Sequence, residues 1–130
     1  TAINSDWVPS VTKTLLVGED LATADALGNL ANPDKIGAPD NLKFSEKLRT
    51  LFIGEDSGQH VNNFLWAYNV DTKQLSRIMS IEAKPEGLVI STTDTHLPRR
   101  IGEALKHAYH GNLELHYDKA EDFARVTWTR

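Results

Sequence analysis

Helical periodicity marks one stretch of this chain, and short apolar runs cut by turn residues fill most of the rest. Over His96–His110, Leu97, Ile101, Ala104, Leu105 and Ala108 recur at the spacing of one helix face. Asp94 or Thr95 can cap the first free N–H groups, and Pro98 falls in the first turn, where a missing N–H costs little. Gly111 then ends the helix as a left-handed C′ residue. One such helix among strands points to an α+β fold, the helix laid on a small antiparallel sheet.

The strands come as short runs. Thr50–Ile53, Phe64–Val70 and Leu75–Ile81 read as three antiparallel strands, the last two joined by a tight link over Asp71–Gln74. Large apolar residues alternate in Leu65-Trp-Ala-Tyr68, which places Trp66 and Tyr68 on one face. A turn at Lys84–Gly87 joins Arg77–Ala83 to Leu88–Ser91, and Leu113–Tyr117 pairs with Phe123–Trp128 around Asp118–Asp122. Residues 1–80 thus form a β-rich segment of antiparallel hairpin elements. Residues 81–130 form a ββαββ unit, which Leu75–Ile81 can join to residues 64–80 in one sheet. Thr14–Asp20 (TLLVGED) and Thr50–Asp56 (TLFIGED) echo each other, each an apolar strand ending in Gly and two acids. Between them, Asp25–Asn41 is dense in Gly, Pro, Asn and Asp and reads as turns and loop.

Composition excludes several functions. With no cysteine among 130 residues, disulfides, thiolate zinc sites and a cysteine nucleophile are all ruled out. A net charge of −4, with both signs mixed along the chain, argues against nucleic acid as a partner. No apolar stretch approaches the ~20 residues of a membrane-spanning helix, so no membrane partner is expected. The opening TAINSDW has neither an initiator Met nor a signal segment, which suggests a processed or excised piece.

Gly54-Glu-Asp-Ser-Gly-Gln-His60, followed by Asn62, is the best candidate site. A strand end presents Glu55 and Asp56, and His60 and Asn62 can fold back toward them. Two readings stay open: ligands for a hard cation, which takes several oxygens, or a solvated acidic hairpin loop. Calcium needs six to eight oxygens, more than these side chains supply. Elsewhere His96, His107, His110 and His116 lack a ligand-spaced carboxylate and read as a solvated face rather than a zinc site. Arg99, Arg100, Lys106 and His107 make the helix modestly basic, with Glu103 among them.

The words PDNLKFSE (Pro39–Glu46), LRTLFIGEDSGQHVNNFLWAYNVDT (Leu48–Thr72) and LSRIMS (Leu75–Ser80) resemble the PhoX-type alkaline phosphatases, bacterial exported phosphomonoesterases. The resemblance covers about Trp7–Ser80. It implies part of a β-propeller, a phosphomonoester substrate, an exported or periplasmic setting, and a calcium- and iron-containing site. On that basis Glu55 and Asp56 become metal-ligand candidates, with His60 and Asn62 beside them. That family also uses ligands from other blades and a cysteine on iron, which this chain lacks, so the resemblance implies an incomplete active site. From Arg77 onward, the words TTDTHLPRRIGEALKHAY and LELHYDK are similar to the C-terminal domain of a small bacterial zinc-ribbon family of unsettled function. The chain reads as a composite of the two, joined at RIMSI, as a natural fusion, an engineered chimera or a generated sequence would. The alternative is a non-catalytic α+β binding or scaffold domain.

Overall fold

The computed structural model describes residues 2–3, 5–6, 8–56, 58–93, 96–118 and 123–130. Its centre is one antiparallel sheet of seven strands carrying one helix. In chain order, after a two-stranded pair of β1 (Ala2–Ile3) and β2 (Pro9–Val11), come β3 (Pro39–Ser45), β4 (Thr50–Glu55), β5 (Leu65–Asn69), β6 (Leu75–Lys84), β7 (Gly87–Thr92), α1 (His96–Tyr109), β8 (Asn112–Asp118) and β9 (Phe123–Thr129). The spatial order is β3-β4-β5-β6-β7-β9-β8. The strands on either side of Ile81 therefore lie in one sheet rather than in two.

β6 joins the halves by changing partners. Leu75–Ile78 pair with Tyr68–Leu65 of β5, and Ile78–Lys84 pair with Thr92–Gly87 of β7. The register shifts between Ile78 and Ser80, so Met79 is the extra residue of a bulge. Ile78 lies opposite Thr92 and Ile81 opposite Ile90. The bulge thus places two isoleucines three apart on one face, which an unbroken strand of period two would separate. RIMSI is the hinge line of the sheet.

The two halves bury opposite faces. In β4–β6, Ile53, Trp66 and Tyr68 point to one side and form a core with Ile36, against which Leu16, Leu51, Phe64 and Leu75 pack. The cover on that side is irregular chain from residues 12–38. On the other side Ala124, Val126 and Trp128 of β9 are buried under α1 through Leu97, Pro98 and Gly102. A Cβ on Gly102 would come within 2.4 Å of Leu113 Cδ1 and 2.7 Å of Val126 Cγ2, so helix and sheet touch there almost backbone to side chain.

Several expectations change. TLLVGED is not a strand: among its residues Asp20 alone makes a single bridge, to Ala31, and Leu15 and Val17 are exposed. Its apolar side chains have no neighbouring strand to pair with, and Leu16 serves as a plug in the core instead. The start of PDNLKFSE, read as loop, is the edge strand β3, with Pro39 at its first position, where a missing N–H is tolerated. The helix stripe is displaced: Ile101, Ala104 and Leu105 are half-buried and Ala108 is exposed, because the tight contact is at Gly102. The proposed caps Asp94 and Thr95 lie outside the described residues, as does the β8–β9 connection over 119–122. Trp66 and Tyr68 share a face as expected, and Gly111 has a φ of 93° just past the helix. The Trp128 indole N–H donates to the His110 carbonyl at 2.7 Å, closing the helix end. No helix among the described residues is long and apolar enough to cross a membrane.

Candidate functional site

The strand end that carries Glu55 points it inward. β4 is flanked by β3 and β5, and its last residue turns its carboxylate under the loop over residues 58–64. Four donors converge on that carboxylate. Oε1 accepts from the Gly37 N–H and the Trp66 indole N–H, both at 2.7 Å. Oε2 accepts from the Phe64 N–H at 3.0 Å and from His60 Nδ1 at 2.7 Å. The other ring nitrogen, Nε2, lies 3.2 Å from the Asn32 carbonyl. Both nitrogens face oxygens that accept, so both bonds form when the ring carries both protons. Burial alone pushes the Glu55 carboxyl up; the bonds from Gly37, His60, Trp66 and Phe64 outweigh it and hold the carboxyl below its ordinary range.

Aromatic rings brace this pair. His60 stacks on Phe64 with centroids 4.4 Å apart, Trp66 meets Phe64 edge-on, and the Arg77 guanidinium lies over the Phe64 ring, 4.6 Å from its centroid. Gly37 fits because it has no side chain: a Cβ there would sit 3.0 Å from His60 Cε1. Nearby, Asn29 takes the Val61 N–H and is held by Asp25, while the Gln59 carbonyl accepts from Leu30 and Ala31. The covering segment is thus tied to the 58–61 loop by named polar bonds.

Of the four candidate metal ligands, the fold brings Glu55 and His60 together, with side chains at 1% and 0% exposure. Asp56 and Asn62 are exposed, and no three His, Asp or Glu side chains group as a metal site among the described residues. Both oxygens of Glu55 accept from N–H groups, two donors each. The set does not fit calcium, which asks for six to eight oxygens. In the weaker echo, Glu19 pairs with Lys35 at 2.6 Å and Asp20 accepts from Gln59 at 3.3 Å. His96, His107, His110 and His116 are exposed.

A second site was not anticipated. On the sheet face opposite Trp66, the flank of α1 and the β5–β6 turn enclose a groove of about 610 Å³. Thr50, Ala67 and Ser76 form its floor, at 0%, 2% and 4% exposure. The Thr50 hydroxyl donates to the Leu48 carbonyl at 2.8 Å. The Ser76 hydroxyl has no hydrogen-bond partner among the described residues, and since no enclosed side-chain N or O atom is left unpaired among them, it opens into the groove. Arg100 on the helix wall has no carboxylate partner among the described residues, whereas Arg99 pairs with Glu103 at 2.9 Å. Asn69 organises the turn, its Oδ1 accepting from the Asp71 and Thr72 N–H groups. The signal in the sequence is one small residue on each of two paired strands: Ala67 between Trp66 and Tyr68, and Ser76 after Leu75.

Comparison with protein-family models, with curated proteins and with solved structures finds no match to this chain.

Proposed function

We propose that this protein is a non-catalytic binding module whose ligand lies in the groove between α1 and the sheet. One observation carries this reading: an open, polar-floored groove of ligand size with a serine hydroxyl inside it that has no hydrogen-bond partner among the described residues. The rival acidic site is spent on the fold, since Glu55 already accepts four hydrogen bonds. Polar small molecules added to the labelled full chain should shift the amide signals of Ala67 and Ser76. A panel that perturbs other surfaces alone sinks the reading.

The composite ancestry belongs to the same proposal. β3–β6 run as a four-stranded antiparallel meander, the layout of a propeller blade, which supports descent of that part from the PhoX-type scaffold. The following β6–β7–α1–β8–β9 then acts as the ββαββ unit, and the groove lies where the two meet. On this reading the chain does not turn over phosphomonoesters. p-Nitrophenyl phosphate with added Ca²⁺ and Fe³⁺ should show no hydrolysis above buffer; turnover abolished by Glu55→Ala or Asp56→Ala would overturn it.

A further inference from the structure

We infer that the groove takes a small hydroxylated carboxylate, its carboxylate on Arg100 and its hydroxyl on Ser76; this rests on the groove being the ligand site. A shallower pocket of about 260 Å³ shares Arg100 and Glu103 with the groove and extends it to Lys47 and His107. Lys47 Nζ lies 3.1 Å from His107 Nδ1. An ammonium has no lone pair to offer, so the imidazole accepts and adds no anion to this end.

The charge balance then favours an anion. Among the described residues, both carboxylates that line the groove are paired, Glu103 with Arg99 at 2.9 Å and Asp71 with Arg49 at 3.2 Å. Arg100 and Lys47 have no carboxylate partner among the described residues. A guanidinium matches a planar carboxylate through two parallel N–H bonds, and the nearby ammonium adds a point charge. Behind them the Ser76 hydroxyl, open to the groove, offers a donor and an acceptor to a hydroxyl, beside the small Ala67. A cationic ligand would meet two uncompensated positive charges, and a neutral polyol would leave them unused.

The test is amide NMR on the full-length chain with malate, erythritol and inorganic phosphate as separate probes. Malate should shift Ala67 and Ser76 saturably. Arg100→Gln, at a half-buried helix position, should weaken it by about tenfold or more, and Ser76→Ala by about two- to tenfold. If erythritol shifts the groove as strongly as malate and Arg100→Gln changes nothing, the carboxylate inference fails while the groove stands. Phosphate binding in place of malate also overturns it. If no probe touches Ala67 or Ser76, both this inference and the binding-module reading fall.

Discussion

The two halves of this sheet are covered in different ways, and their chemistry follows from the cover. Over β7–β9 the cover is a helix, which satisfies its own backbone N–H and C=O groups except at its ends. It packs through apolar contact at Leu97, Gly102 and Val126, and an indole bond closes its C-terminus. Over β4–β6 the cover is irregular chain, whose backbone groups have no ladder to join. Buried polar side chains do that work: Glu55 takes the Gly37 and Phe64 N–H groups, His60 reaches the Asn32 carbonyl, and Asn29 takes the Val61 N–H. Acidic and imidazole groups are therefore what a loop-covered core requires. Their presence is not by itself a mark of catalysis.

Glu55→Ala tests this comparison most severely. It leaves four buried donors without an acceptor, one of them the His60 imidazole, and should destabilise by about 3–5 kcal/mol in urea titration. Leu97→Ala in the other half should cost about 2–5 kcal/mol, through lost apolar contact and a cavity alone. The two sites lie on opposite faces of the sheet, so their costs should add within about 0.5 kcal/mol if the chain unfolds as one unit. Two separate transitions in the double variant would show instead that β6 fails to couple the halves.

Acid should separate the halves by mechanism. The folded Glu55 carboxyl lies below its unfolded value, so its stabilisation is present at neutral pH and is lost as the pH falls through about 4.3 and on to the folded value. Thermal melts of the parent should therefore drop steeply on that side. Glu55→Gln should start lower at pH 7 and fall less; an equally steep fall in the variant would assign the acid sensitivity elsewhere.

How far these features were legible differs between the halves for the same physical reason. A helix announces itself by period, so α1 and its C-terminal glycine stand out in the sequence. The displaced stripe was hidden because Gly102, which has no apolar side chain to count, makes the closest approach. In the other half, β3 is an exposed edge opening on Pro39, and TLLVGED has strand composition but no partner. The meaning of Glu55 was not legible at all. Three of its four donors come from Gly37, Phe64 and Trp66, two of them through the backbone, and a carboxylate five residues before a histidine looks the same whether it awaits a cation or an N–H.

Gly37→Ala gives a finer probe of the same loop-covered core. Its N–H is a Glu55 donor, and an added methyl would sit 3.0 Å from His60 Cε1 and 3.1 Å from Nδ1. The imidazole is fixed at both nitrogens and stacked on Phe64, so it yields only by lengthening a bond to Glu55 or Asn32. Overpacking of this kind costs about 1–3 kcal/mol. Hydrogen exchange on the variant should therefore speed at Phe64 and Ala31 while the amides of β8 and β9 stay protected. Uniform loss of protection across the sheet would mean that the two covers are not independent, and that the bulge at Met79 transmits strain between them.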